Sequence, residues 1–347
     1  VIFIGIEALV VREKHAAMER VRVILAAHGE AESAGFTENF EVSRHTLAHA
    51  AEVMHLPAPL RLAICTLGGL RKRLKGGPGS PHNANTRRQV AALQSVLDAQ
   101  GGAEYRVEAA FASSPPYVED VIALPARFDR QFVISMIPTD SRLSCGLLCH
   151  ALHVSASGTR GCSEVVARMW DDEALTVIHR DHVLAHFPKP RPASPCCLVL
   201  VLHGTVVRDR NGNPPDFHAG VEEKDTYGEA LREALMAVAD RPWDRVELAY
   251  LNHGVGGQWS SPTLDESMKA LSAEGINSVV AYPCEHLVDG GETTGLPGVL
   301  AASGVPETHC LPCLNDSEAF IEYLADRVLA VDAARRENCC NPCPLRA

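Results

Sequence analysis

Two stretches of this 347-residue chain nearly repeat each other. RVRVILAAHGEAE runs from Arg20 to Glu32, and CCLVLVLHGTVVR runs from Cys196 to Arg208. Each is a short, almost unbroken apolar run that ends in His-Gly, at His28–Gly29 and His203–Gly204. An apolar run of that length without alternation reads as a strand covered on both faces, as in parallel sheets flanked by helices. Glycine just past the strand frees the backbone for a sharp turn and a close ligand approach. In open α/β sheets ligands bind outside the carboxyl ends of the strands. The duplicated feature therefore predicts an α/β fold of two doubly wound, Rossmann-like halves. Their parallel sheets would face a central cleft with a histidine on each wall.

The rest of the chain reads in the same register. After the strand Val21–Ala27 come a helix around Arg44–Met54 and a helix at Thr86–Ala99, where Val90, Leu93, Val96 and Leu97 recur at helical spacing. A strand at Tyr105–Phe111, a helix after Pro115–Pro116 and a strand at Arg130–Ile137 follow. The proline-rich connector HFPKPRPASP, His186–Pro195, separates this from a second alternation. That one places strands at Cys197–Leu202, Val246–Leu251 and Ser278–Tyr282, and helices at Tyr227–Ala239, Leu264–Ala273 and Ser317–Arg335. The expected division is an N-terminal extension over 1–20, a first half over 21–190, a second half over 191–335 and a cysteine-rich tail over 336–347.

Composition narrows the function classes. A net charge of −11 leaves no basic excess to offset phosphates, so nucleic acid is not the expected partner. No segment approaches the roughly 18 consecutive apolar residues of a membrane span. The apolar run in VIFIGIEALVVREKH has no basic residues before it and no small-residue cleavage site after it, so a signal peptide is not expected. The twelve cysteines are unevenly placed: Cys145, Cys149 and Cys162 cluster in mid-chain, and Cys339, Cys340 and Cys343 lie in the last nine residues. In a long chain that is not loop-rich, this reads as a reducing, cytoplasmic setting with a soft-metal or iron–sulfur site rather than disulfides.

Chemistry concentrates in the second half. YPCEHLVDGGETTG, Tyr282–Gly295, follows the third strand there directly and holds Asp289 and Glu292 around Gly290–Gly291. At the same sheet edge as His203, it would offer carboxylates and a neutral imidazole to one ligand, a set that accepts protons or passes on a divalent ion. Trp259, in the glycine-rich loop GVGGQWSSPTLDES, could stack on a flat ligand at that edge.

These stretches resemble the ferrochelatases, the chelatases that insert ferrous iron into a porphyrin. GSPHNANTRRQVAALQ at Gly79–Gln94 is similar to the family's Gly-Ser-Pro…Thr…Gln-Ala…Leu segment, and LHGT at Leu202–Thr205 to its histidine motif. QWSSPTLDES at Gln258–Ser267 resembles Trp-Leu-x-Pro-x-Thr-x-Glu, and DGGET at Asp289–Thr293 resembles Asp-His-x-Glu-Thr; CLN at Cys313–Asn315 precedes the final helix. The resemblance spans about residues 21–335. It implies that His203 and Glu292 are the essential pair, that Trp259 and Asp289 line the substrate site, and that His28 stands on the opposite side of the macrocycle. Porphyrin (protoporphyrin or coproporphyrin) and Fe²⁺ would both be substrates, the metal held by His203 and Glu292. Gly290 departs from the family, which has histidine there, and Ala112–Ser113 stands in place of an Arg-Tyr pair. The porphyrin carboxylates must then find other partners; Arg71, Lys72 and Arg73, in the basic loop LRKRLKG, are candidates.

The tail ENCCNPCPLRA resembles that of ferrochelatases with a [2Fe–2S] cluster, held by three C-terminal cysteines and one from the first half. The implied ligands are Cys339, Cys340, Cys343 and Cys145, with Cys149 in reserve. Peripheral membrane contact and a monomeric or homodimeric state complete the expectation. The departures leave two alternatives open: a chelatase for another metal or tetrapyrrole, and a non-catalytic haem- or porphyrin-binding iron–sulfur sensor.

Overall fold

The computed structural model describes residues 18–53, 56–124, 128–155, 162–254 and 256–335. Two four-stranded parallel sheets carry the fold. The first has the order β2-β1-β3-β4, built from β1 (Arg20–Ala27), β2 (Glu104–Phe111), β3 (Arg130–Ser135) and β4 (Cys162–Val166). The second has the order β10-β9-β5-β7, built from β5 (Cys196–His203), β7 (Arg245–Leu251), β9 (Ser278–Tyr282) and β10 (Glu307–Cys310). A small antiparallel pair, β6 (Val206–Asp209) and β8 (Gly257–Trp259), stands beside the second sheet's carboxyl edge.

Counted from its own first strand, each sheet has the same order, 2-1-3-4. The strand that ends in His-Gly is central in both, and its neighbours on the two sides are visited in opposite directions. That is a topological switch point, where a crevice opens beyond the strand end. β1 and β5 are central because nothing in them needs water: Val21, Val23, Ile24 and Leu25, and all of Cys196 to Leu202, are buried. Arg22 is the buried charged residue of β1, and it is matched there by Glu108, Gln131 and the Val121 carbonyl.

Helices form three layers about the two sheets. α4 (Val118–Ala123) and α5 (Cys145–Ser155) cover the outer face of the first sheet, where Ile24, Ala26 and Val133 meet Val118, Val121, Ile122 and Leu148. α8 (Leu264–Ala273) and α9 (Leu296–Ala301) cover the outer face of the second, with Leu264, Met268, Leu271 and Leu300 against Cys197, Val199 and Val201. Between the sheets lie α3 (His82–Gln100), α6 (Glu173–His186), α7 (Val221–Met236) and α10 (Glu318–Arg335). The core there is continuous from Val21 and Phe132 to Leu200 and Tyr282, so the inner faces of both halves bury against one helical layer.

A buried polar chain ties that layer together. Tyr227 donates to the Cys284 carbonyl (2.9 Å), so its oxygen accepts from His179 Nε2–H (2.6 Å), and His179 Nδ1 accepts from Tyr282 (2.6 Å). The tautomer is thus fixed by its neighbours. Burial lowers the His179 pKa to about 3, with His182 adding to the effect.

The helices α1 (Phe36–Val53) and α2 (Ala58–Lys75) form a hairpin beside the carboxyl edge of the first sheet. Thr46 donates to Ser113 just past β2, and His45 stacks on Tyr117 at the start of α4. Arg71, Lys72 and Arg73, expected in a loop, occupy the last turns of α2 and are exposed. The helix runs through the Gly68–Gly69 pair, and a Cβ at Gly69 would meet the Phe36 ring at 3.1 Å: the glycine is where α1 approaches closely. Among the described residues no helix is long and apolar enough to cross a membrane.

Candidate active site

His28 follows the last residue of β1, and His203 is the last residue of β5. Their glycines serve different needs. Gly29 has φ +82, and a Cβ there would fall 2.5 Å from the Phe111 Cβ. Gly204 donates its N–H to the Leu251 carbonyl (2.7 Å), so a Cβ would lie 1.7 Å from Asn252 Oδ1 and 2.9 Å from that carbonyl. The glycine after His203 thus lets the ends of β5 and β7 close on each other.

That closure brings in a residue the sequence reading missed. His253 lies two residues past β7, and its Nε2 is 2.9 Å from His203 Nε2. Its Nε2 is also 3.3 Å from Glu292 Oε1. The other Glu292 oxygen meets His286 Nε2 at 3.1 Å. Trp259 places its ring edge-on to His253, with centroids 5.6 Å apart. Three segments after three neighbouring strands, β5, β7 and β9, therefore deliver His203, His253 and Glu292 to one point, with His286 behind the carboxylate and Trp259 beside the second imidazole.

The charge state suits metal or proton traffic. Burial in the cleft wall pulls the His203 pKa down to about 4 against the opposing pull of Glu292, and Lys224 and His253 lower it further. Burial works against the ionised form of Glu292. The hydrogen bond from His286 and the fields of His203, His286 and His253 outweigh it, so its carboxyl stays well below the usual range. Near neutral pH the wall offers a neutral imidazole near a carboxylate.

His203 is anchored from behind. Its backbone N–H donates to Glu285 Oε2 (2.9 Å), and Glu285 Oε1 is paired with Lys224 of α7 and accepts from Thr139 of the first half. Burial favours the neutral form of Glu285, but Lys224, His203 and the hydrogen bonds leave its carboxyl below the usual range. Glu285 therefore anchors the strand end and, through Thr139, ties it to the first half.

The opposite wall belongs to the first half. The His28 ring is open to solvent although protein surrounds it, and that surrounding lowers its pKa against the fields of Glu30 and Glu292. Its electrostatic neighbours Glu292 and His253 lie across the cleft. Asn83 clamps the Glu30 backbone, accepting from its N–H and donating to its carbonyl, both at 2.9 Å. Glu30 Oε2 in turn accepts from the Gly291 N–H at 2.7 Å. A Cβ at Gly290 would meet Glu30 at 2.9 Å and His82 at 3.3 Å, so these two side chains fill the space a larger residue would take.

Asp289 stands apart from this group. One carboxylate oxygen accepts from Asn315 Nδ2 (2.7 Å) and the other from the Cys313 N–H (3.2 Å). The Asp289 carbonyl accepts from Asn85 of α3 (2.9 Å). Its carboxylate holds the turn to the C-terminal segment instead of facing His203, because the Gly290–Gly291 turn points Asp289 and Glu292 in different directions.

Cys145 and Cys149 sit one turn apart on α5, and both are buried. Burial, with the Asp140 carboxylate adding to it, pushes the Cys145 thiol far above its usual range. Only a cation at the sulfur would make it a thiolate. Cys339, Cys340 and Cys343 lie outside the described residues. Cys196 and Cys197 are fully buried in β5, as a strand start predicts.

Comparison with known proteins agrees with this geometry. The family model described as ferrochelatase matches residues 20–331. A ferrochelatase of Acidobacterium capsulatum is 26% identical over 281 residues, covering 78% of this chain and 81% of its own length. One of Picosynechococcus is 27% identical over 307 residues, covering 80% and 74%. In fold the chain is similar to SirB from Bacillus subtilis, solved with Fe³⁺, at a TM-score of 0.51 and 12% identity over 93% of this chain and 99% of that one. It is similar to CbiX, the terminal enzyme of sirohaem biosynthesis in denitrifying bacteria, at a TM-score of 0.51 and 12% identity over 89% and 98%.

Proposed function

The chain belongs to the ferrochelatase family, and from that premise we propose that it inserts Fe²⁺ into a porphyrin, for haem synthesis, in the cleft between His203 and His28. The observation that carries the reading is the pairing of a neutral imidazole at His203 with an ionised carboxylate at Glu292 on one wall. Insertion exchanges two pyrrole protons for one divalent ion. His203 Nε2 has a lone pair for either a metal or a proton, and Glu292 balances the positive charge that arrives with either. His286 holds the second Glu292 oxygen, so the carboxylate presents a fixed atom to the cleft. On the opposite wall the neutral His28 can accept a proton from the far face of the macrocycle, with Glu30 beside it to stabilise the imidazolium. Trp259 contributes a flat apolar edge next to His253.

The test is an anaerobic steady-state assay with protoporphyrin IX or coproporphyrin III and Fe²⁺. His203→Ala should lose most metal insertion while still quenching porphyrin fluorescence on binding. Insertion at close to the wild-type rate would remove His203 from the reaction.

Two further elements of the reading concern the periphery. Cys339, Cys340, Cys343 and Cys145 would hold a [2Fe–2S] cluster, with Cys149 as the alternative fourth ligand; four thiolates are the ligand set that cluster takes. Its ligation would add folding free energy by tying the tail to the first half. Protein purified without oxygen should hold about two irons per chain and show the visible bands of that cluster. Colourless, iron-free protein with full activity would exclude it. On α2, Leu60, Leu67, Leu70 and Leu74 are exposed on one face, with Arg71 and Lys75 flanking them. That pattern supports peripheral contact with an anionic lipid surface. Leu67→Ser/Leu74→Ser should reduce cosedimentation with anionic vesicles, and unchanged cosedimentation would exclude α2 as the contact.

A further inference from the structure

The pair of His203 and Glu292 accounts for two of the three groups that meet beyond β5. The third, His253, is half exposed at the rim of the cleft, and nothing in the reading above requires it. We propose that His203, His253 and Glu292 form a three-ligand site, with His253 between the other two, that takes up one divalent first-row transition-metal ion before the porphyrin arrives, and that His253 sets its preference for nitrogen-seeking ions. This rests on the cleft being where metal enters the macrocycle.

Geometry is the first argument. The three candidate ligand atoms all lie within 4.8 Å of one another. His203 Nε2 and His253 Nε2 are 2.9 Å apart, and His253 Nε2 and Glu292 Oε1 are 3.3 Å apart. Bonds of about 2.0–2.1 Å to one ion, at octahedral or tetrahedral angles, separate neighbouring ligand atoms by about 2.9–3.4 Å. Two imidazole nitrogens at 2.9 Å also need something positive between them, since both lone pairs would otherwise repel. A proton can serve, and so can a cation.

Preorganisation is the second argument. Each ligand is held from outside the site: His203 by its N–H to Glu285, Glu292 by His286 on its other oxygen, and His253 by its edge contact with Trp259. Outer contacts of this kind orient ligands and tune a metal site. The three come from neighbouring strand ends on one wall, so the ion's opposite side stays open to the cleft, where a macrocycle's nitrogens would take over.

Donor chemistry fixes the class of ion. Two imidazoles and one carboxylate suit Fe²⁺, Co²⁺, Ni²⁺ or Zn²⁺, whereas Mg²⁺ and Ca²⁺ favour oxygen ligands. Without His253 the wall offers one nitrogen and one carboxylate. The second imidazole therefore biases uptake against the abundant oxygen-seeking ions and allows the metal to be held while the porphyrin site is vacant.

The test uses the full-length chain with no porphyrin present. Anaerobic titration calorimetry with CoCl₂, in excess MgCl₂, should show one Co²⁺ bound per chain at this site. X-ray absorption at the cobalt edge should count two imidazoles and no sulfur. His253→Ala should weaken binding at least about tenfold, by the scale of lost metal-site contacts, and leave one imidazole. His253→Asn, which keeps a polar group of similar size, should do the same. Because His253 is half exposed, its loss should leave the far-UV circular dichroism unchanged. The inference is overturned if wild type binds no Co²⁺ without porphyrin, if sulfur appears among the ligands, or if both variants bind like wild type. If wild type binds no metal alone yet His203→Ala abolishes iron insertion, the three-ligand site falls while the functional reading stands.

Discussion

Replacing Lys224 by Met isolates the contribution of the ion pair behind His203. The Lys224 and Glu285 side chains are 8% and 1% exposed, so solvent does little to screen their interaction. The substitution removes the ammonium but leaves the Glu285 carboxylate with the Thr139 hydroxyl and the His203 N–H as donors. Breaking a buried pair from one side costs about 3–5 kcal/mol, because an uncompensated charge stays behind. Against a total stability of about 5–15 kcal/mol, that is a large share. Lys224→Met/Glu285→Gln removes both charges, and the glutamine carbonyl can still accept from His203 N–H. The double variant should recover most of the loss. Urea unfolding followed by circular dichroism measures both, with the midpoint moving and the slope unchanged. A single variant costing less than about 1 kcal/mol, or a double variant no more stable than the single, would refute the idea that unpaired charge dominates.

Acid should weaken the fold through His179. Its native pKa is about 3 and its unfolded value about 6.5, so between these pH values the unfolded chain binds a proton that the native chain does not. Stability then falls as pH drops from 6.5 toward 3, by at most about 1.4 kcal/mol per pH unit from this group. His179→Phe should be less stable at pH 7, for loss of two tyrosine hydrogen bonds, but should show a shallower decline in urea midpoint between pH 7 and 5; an identical decline would clear His179. Gly204→Ala should cost about 1–3 kcal/mol as an overpacked site, and should disturb the His203–His253 approach, because its Cβ would enter Asn252 and the Leu251 carbonyl; an unchanged melting temperature would contradict that contact. His28→Ala should leave stability unchanged and alter the relative rates with Fe²⁺, Co²⁺ and Zn²⁺, and unchanged rates with all three would reduce His28 to a plain loop residue.

The central strands were legible because burial on both faces demands unbroken apolar runs, and β1 and β5 have them. Strands at the margins carry weaker marks. β10, ETHC, is half-buried along its whole length, and β8 is three residues of a glycine-rich loop, so neither shows a period. α2 was read in part as a basic loop because Gly68–Gly69 and the terminal charges resemble punctuation; the Phe36 contact that makes the second glycine useful is tertiary. At the site, His203 and Glu292 were legible from motif and position. His253 carries a usable signal: His253–Gly254 is a third His-Gly just past a strand, the same mark as at His28–Gly29 and His203–Gly204. His286 carried none, since only the path of the turn brings it to Glu292. Asp289 misled for the same reason, its carboxylate aimed by that turn at Asn315.

The shared 2-1-3-4 order makes the two walls comparable position by position, and the comparison explains why the cluster of two imidazoles and a carboxylate gathers on one of them. His28 and His203 are equivalent strand ends. The first-half equivalent of His253, two residues past the second strand in its sheet, is Ser113, which is buried and accepts a hydrogen bond from Thr46. The turn after β3, which corresponds to the one carrying Glu292, contains Asp140, and that carboxylate accepts from the Arg168 N–H and from Trp170 Nε1. The first half therefore spends its two equivalent positions on holding loops, and His28 faces the cleft with Glu30 as its nearby carboxylate. A single imidazole can exchange a proton but holds a divalent ion poorly, whereas two imidazoles and a carboxylate can hold one. The same fold, repeated, thus yields one wall suited to protons and one suited to metal, and a planar macrocycle between them would meet each on a different face.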